Sequence, residues 1–282
     1  MSGPQALPAW ASTAVGELLC GRRQDAVVLA STRVASYMSV PEPGPSAPVI
    51  ALLTQDAVRL PIGVTVAAGK LPENGSVVRI GDGSIVSREH TWRPVRWWDP
   101  RPSLVAEDLL PRGPELVELL GDQPHCSFGL PLAHELAIAR ALAQGDVDPA
   151  FGVIGLGPGL TPAADDVVAG ALAALALCGG LQDQDRDALA AHASIRTTAL
   201  SAALIVAAGR GQVIPQAAAV LAALAASGSP VQLRFAAVAL FNVGATSGHD
   251  LCAGMAGVLA GLASAGAARS IGEAATITRS LQ

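Results

Sequence analysis

The sequence predicts an α+β protein, with a small N-terminal β-barrel or sandwich followed by an Ala/Gly-rich helical bundle. Three observations lead there. Before about residue 90 the chain runs in short β-branched or apolar segments separated by Pro, Gly and Asn. From Pro100 to Pro114 it becomes rich in proline and charge, the composition of a junction. Beyond that, apolar residues recur at helical spacing and the runs stop at Gly or Pro. The expected division is a mostly β domain over residues 1–105 and a helical domain over 106–282 that carries a glycine-rich loop.

Residues 1–24 read as a loose start with one short helix from Ser12 to Cys20. Strands are expected at Asp25–Thr32, Ala35–Val40, Pro48–Leu53, Ala57–Leu60, Val64–Ala67, Ser76–Ile80 and Ser84–Val86, with a hairpin turn at Gly81-Asp82-Gly83. Trp92, Trp97 and Trp98 follow among Arg88, Arg93, Arg96 and Arg101. They form either a stacking or partner-binding surface or a plug of large side chains. Helices are expected at Glu115–Leu120, Leu132–Gln144, Pro162–Leu181, Asp185–Ala208, Gln216–Ala226, Val231–Phe241 and Gly248–Ser264.

The segment Gly155-Leu156-Gly157-Pro158-Gly159-Leu160-Thr161-Pro162-Ala163-Ala164-Asp165-Asp166 stands out. Its three glycines allow positive φ or close backbone approach, and Thr161 before Pro162 fits an N-cap with proline at the first helical position. Free amides and the dipole at such an end favour an anion, phosphate above all. Asp165 and Asp166 in the next half-turn would repel it unless a cation or base intervenes, so the loop suggests anion plus metal or anion plus base. Magnesium held by Asp165 and Asp166 is the metal alternative. The spacing is neither a Walker A loop nor a dinucleotide fingerprint, and a structural turn with a capped helix remains the alternative.

Asp166-Val167-Val168-Ala169-Gly170 recurs 84 residues later as Asp250-Leu251-Cys252-Ala253-Gly254, each copy behind a Gly/Thr-bearing loop. Small residues lie beneath both aspartates at helical spacing, so the two helices are expected to run side by side and roughly parallel. That would gather Asp166, Asp250, Thr161 and Thr246 around one pocket. His249 reads as an acid/base or metal ligand, or as a solvent-facing histidine at a helix start. Ser194-Ile195-Arg196-Thr197-Thr198, with Ser201 one turn on, sets an arginine beside hydroxyls that can grip phosphate or carboxylate. Its Ser-x-Arg-Thr core looks like the phosphate signature of the aspartate and ornithine carbamoyltransferases, on four residues and without that signature's flanks.

A net charge of −5, with 18 basic residues that form no cluster of five or more, argues against a nucleic-acid surface. Mean hydropathy of +0.44 would suit a membrane protein, yet the uncharged run at 251–268 is mostly Ala and Gly, and aromatics make up 3% of the chain, so a tightly packed soluble helix is expected. Cys20, Cys126, Cys178 and Cys252 are dispersed without zinc spacing and read as reduced, mostly buried thiols. The first residues lack the pattern of a secretory signal, which leaves the cytoplasm as the expected compartment.

Taken together, Gly155 to Asp166, the Arg196-Thr197-Thr198-x-x-Ser201 cluster and Thr246-Ser247-Gly248-x-Asp250 resemble the AllH-like family, some of whose members are named as a subunit of oxamate carbamoyltransferase. The resemblance spans roughly residues 150–265. The family loop typically reads G-L-G-P-G-L-T-P-S-G-D-D, and Ala163-Ala164 here replace Ser-Gly. The second motif typically reads G-H-T-S-G-W-D, and Ala245 and His249 stand where His and Trp are usual. The resemblance implies transfer of a carbamoyl group between carbamoyl phosphate and a small amide or amine, in a multisubunit complex with companion carbamoyltransferase-like subunits. Asp166, Asp250 and His249 are then the catalytic residues expected. Gly155, Gly157, Gly159, Thr161, Arg196, Thr197, Thr246, Ser247 and Gly248 are expected to bind substrate. The alternatives are a small-molecule kinase of ribokinase-like chemistry, whose Asp-bearing glycine element looks superficially similar, and a non-catalytic assembly subunit that binds a ligand.

Overall fold

The structure, a computed structural model, describes residues 5–41, 48–122, 130–226 and 229–280, and side chains as far as residue 265. Cys126 and His125 lie outside the described residues. The architecture is a closed eight-stranded barrel followed by a helical region.

The barrel strands are β1 (Gln5–Ser12), β2 (Gln24–Ser31), β3 (Ala35–Ser39), β4 (Val49–Leu53), β5 (Gly63–Val66), β6 (Val77–Gly81), β7 (Ser84–Val86) and β8 (His90–Trp98). Around the barrel they run β1-β5-β4-β3-β2-β6-β7-β8, and β8 closes on β1 in parallel. Alternation builds its interior: in β2, Ala26 and Val28 point inward while Asp25, Val27 and Leu29 face out. Asp82 (φ 49°) and Gly83 (φ 71°) make the two-residue turn between β6 and β7, where paired positive φ values match the strand twist.

Three expectations need correction here. From Gln5 onward the opening is not loose, because β1 is held between β5 and β8; its Ala- and Pro-rich sequence has little intrinsic strand preference, and pairing supplies it. Residues 57–60 form no strand. The tryptophan-rich stretch is itself a barrel strand: Trp92 is fully buried and donates its indole N–H to Ala68 O at 3.1 Å, whereas Trp97 is exposed.

The helices are α1 (Gly16–Cys20), between β1 and β2, then α2 (Ala106–Leu109), α3 (Gly113–Gly121), α4 (Leu132–Ala143), α5 (Asp148–Val153), α6 (Ala163–Leu177), α7 (Asp183–Arg196), α8 (Ala199–Ala208), α9 (Pro215–Ala225), α10 (Pro230–Phe241) and α11 (Ser247–Ser280). α11 is the spine of the helical region and contacts α6, α4 and α3. Glycine brings these backbones together: a Cβ on Gly257 would fall 2.5 Å from the Ala139 side chain in α4, and one on Gly113 would fall 2.8 Å from Leu259. α8 joins the two halves. Its Leu200 and Ala207 belong to the barrel's apolar cluster, which is why β4 is buried on both faces.

The run expected as one helix from Asp185 to Ala208 breaks at Thr197-Thr198, where both residues are extended. Their hydroxyls turn away to other partners, and Thr198 caps α8 by accepting from the Ser201 N–H at 3.1 Å. Of the cysteines, Cys252 is buried and Cys178 half-buried, with burial pushing the Cys178 thiol up to about 11; Cys20 is exposed, against expectation. No helix of the described residues is long and apolar enough to cross a membrane.

Candidate functional site at the start of α6

The glycine loop ends α5 and feeds α6. Gly155, Gly157 and Gly159 have φ of 88°, 123° and 95°, conformations L side chains rarely adopt. Close approach adds to the requirement at Gly155, where a Cβ would lie 2.3 Å from Arg196 O, and at Gly157, where it would lie 2.7 Å from Ala163 N. Gly159 is open, so only its φ calls for glycine. The N–H groups of Gly157, Gly159 and Thr161 donate to nothing among the described residues.

The helix start differs from expectation. Pro162 (φ −54°, ψ 140°) is the N-cap and α6 begins at Ala163, so the Thr161 hydroxyl caps nothing. It lies instead 3.4 Å from the Ser247 hydroxyl at the start of α11. Ala163 and Ala164 are both buried, and the Ala164 N–H returns to Leu156 O at 3.2 Å.

The adjacent aspartates face different elements, as residues 100° apart on a helix must. Asp165 is buried and turned toward the α7–α8 break. Its carboxylate accepts from the Gly155 N–H at 2.7 Å, from the Ser201 hydroxyl at 2.7 Å and from the Thr197 hydroxyl. The Thr198 hydroxyl adds a bond to Leu160 O at 2.6 Å. Both Asp165 oxygens are thus engaged in bolting the loop to α7 and α8. The expected polar cluster holds the loop through Thr197, Thr198 and Ser201. Arg196 contributes its carbonyl beneath Gly155, while its exposed guanidinium makes no hydrogen bond or ion pair among the described residues.

Asp166 faces α11. It is 8% exposed, and its Oδ2 has no hydrogen-bond partner among the described residues. Burial pushes its carboxyl well above the usual carboxylate range, helped by the charges of Asp250 and Asp165 and opposed by the Ser247 and Thr161 hydroxyls. Asp250 is fully buried in the first turn of α11. The two helices start side by side at Thr161 and Ser247 and touch again at Gly170 and Gly254, so they run in the same direction. Gly257 and Gly261 leave this contact and pack on α4 instead.

The remaining expected residues serve the second helix start. Thr246 O accepts from the His249 N–H at 2.8 Å and the Asp250 N–H at 3.0 Å. Gly248 is pressed on α10, where a Cβ would lie 1.8 Å from Leu240 O. The His249 ring stacks on Phe241, centroids 4.2 Å apart and planes within 11°. Among the described residues no three His, Cys, Asp or Glu side chains gather to hold a metal ion.

Sequence reasoning misses two features here. In the chain Phe241 marks only the end of a helix, and nothing local ties it to His249. Glu135 is fully buried in α4, and its signal is its place in the apolar repeat of Leu136, Ile138, Ala139 and Leu142.

Both helix starts, the loop and the α7–α8 break fall in one stretch that comparison with known families picks out. Residues 153–259 match the AllH family, described as oxamate carbamoyltransferase subunit AllH. The AllH stretch begins just ahead of the glycine loop and ends in α11, so it holds Asp165, Asp166, Asp250 and their partners and leaves out the barrel. No curated protein and no solved structure matches the chain.

Proposed function

We propose that the chain is a subunit of an oxamate carbamoyltransferase-like enzyme and that the paired starts of α6 and α11 bind carbamoyl phosphate or a related small anion. The family description supports the first part. The second rests on Asp166, a buried carboxyl with an unpartnered oxygen, biased toward its neutral form beside two hydroxyls and a helix start. A neutral Asp166 carboxyl removes its own share of the repulsion that an acidic helix start would impose on phosphate, and it supplies an O–H donor.

In this reading the Gly157 and Gly159 amides, the Thr161 and Ser247 hydroxyls and the dipoles of two helices hold the phosphoryl oxygens. Arg196, whose guanidinium is uncommitted, closes over the anion from α7. A nitrogen of a small amide or amine attacks the carbamoyl carbon, the bond from that carbon to the phosphate oxygen breaks, and phosphate leaves with the electron pair. Asp250 and His249, in the first turn of α11, stand nearest in sequence to orient the nitrogen and take its proton. Companion subunits supply what this chain lacks for turnover.

The test is thermal unfolding with carbamoyl phosphate, phosphate and sulfate, with and without magnesium. An anion present at a hundredfold excess over its dissociation constant stabilises by about 2.7 kcal/mol. Gly159→Val should abolish that shift, because a β-branched residue does not tolerate φ of 95°. No anion-dependent shift between about pH 6 and 8 in the wild-type chain would sink the proposal. Carbamoyl transfer that appears only when companion subunits are added separates a catalytic subunit from a ligand-binding one, and ATP consumption would mark a kinase.

A further inference from the structure

Away from the glycine loop, a cavity of about 670 Å³ lies between the barrel and the helices. Its volume is that of a small-molecule site, and junctions between structural units are where such sites collect. One wall is a stripe of α8: Ala199, Ala202, Ala203, Val206 and Ala207, spaced as one helical face. The barrel end supplies Val15, Leu18, Val49 and Ile62 opposite. Ser201, on another side of α8, is the residue that bonds Asp165, so the cavity and the candidate site lie on different faces of the same helix.

Among the described residues, the charged groups lining this space are Glu17 and Arg210, both exposed. Neither makes an ion pair or a side-chain hydrogen bond among the described residues, with each other or with any neighbour. Gln24 and Gln212 add two amides, while the Ser194 hydroxyl is already committed to Ala191 O at 2.7 Å. Among the described residues the lining therefore offers one cation, one anion, two amides and an apolar wall. Its complement carries a carboxylate, an ammonium and an apolar body.

We infer that the cavity between α8 and the barrel end binds a small apolar zwitterion, of free amino acid to dipeptide size, with its carboxylate toward Arg210 and its ammonium toward Glu17. This is independent of the anion site at α6. The apolar body lies along the alanine stripe, where the absence of large side chains leaves room for it.

Isothermal titration of the full chain with L-leucine and L-leucyl-L-leucine tests this, with hexanoate and n-hexylamine as probes that each lack one charge. At least one zwitterion should bind saturably, roughly tenfold more tightly than either single-charge probe, as expected when a charge-assisted hydrogen bond is lost. Arg210→Gln and Glu17→Gln should each erase that preference. Ala203→Trp should fill the cavity and abolish binding while cooperative unfolding persists; if that variant does not fold, Ala199→Leu at the exposed first turn of α8 replaces it. No saturable binding of either zwitterion, equal binding of hexanoate, or binding that survives cavity filling in a folded variant would overturn the inference.

Discussion

Gly170 in α6 lies so close to Leu251 in α11 that a Cβ built on it would stand 2.0 Å from the Leu251 carbonyl oxygen. The matching pair repeats this: a Cβ on Gly254 would stand 2.0 Å from Val167 O. Gly170 and Gly254 follow Asp166 and Asp250 by the same four residues, so the internal repeat is also a repeated backbone contact. The crossing sets how near the two helix starts come to one another.

Alanine at either glycine should therefore be costly. Neither carbonyl can move without bending its helix, so Gly170→Ala and Gly254→Ala should each lose about 3 kcal/mol, the upper range for overpacking. Urea denaturation measures it. A loss below about 0.5 kcal/mol, typical of a surface change, would mean that the helices separate easily and that their starts are not held in register.

The Asp165 bolt gives a graded series. Ser201→Ala removes one of three donors and should cost about 1 kcal/mol. Asp165→Ala leaves three donors facing each other and should cost about 3 kcal/mol. Because Ser201 acts through the same carboxylate, the double variant should lose less than the sum. Additive losses would show that the two side chains do not act as one unit.

Asp166 predicts a pH dependence. Its folded pKa is raised above the 3.8 of an ordinary aspartate, chiefly by burial. Below 3.8 both folded and unfolded chains carry the proton and the group costs nothing. As pH rises from there through the folded pKa, the unfolded chain gives up its proton first. The native state then loses stability, by up to about 1.4 kcal/mol for each pH unit that separates the folded and unfolded pKa values. Asp166→Asn cannot ionise, so its stability relative to wild type should increase steadily from acid toward neutral pH. Chemical denaturation across that range checks the slope; a flat difference would place an ionised carboxylate there.

The proposed boundary near residue 105 falls where the chain between β8 and α2 lacks regular structure and Val105 is exposed. Thermolysin should nick first beside Leu104 and Val105. The pieces should then co-elute on gel filtration, since Leu200 and Ala207 of α8 sit in the barrel's apolar cluster. A freely eluting barrel would indicate that this contact is dispensable.

Much of this is legible in the chain itself. Alternation in β2, the Asp82-Gly83 turn and the apolar spacing of α4, α9 and α10 reflect local geometry, where each residue's preference and its neighbours' pattern agree. The positive φ of Gly155, Gly157 and Gly159 is legible for the same reason, since glycine density marks backbone that other residues cannot adopt. β1 is not legible, because its strand character comes from β5 and β8 rather than from its own Ala- and Pro-rich sequence. Nor is the break at Thr197-Thr198. Two threonines within a long apolar-periodic run read as helix until Asp165 and Leu160, more than thirty residues away, are brought to their hydroxyls. The sequence identifies Asp165 and Asp166 as an acidic pair. Only tertiary structure separates their roles, by turning one toward three donors and burying the other against α11, because the partners that decide a carboxyl's charge and bonding come from distant parts of the chain.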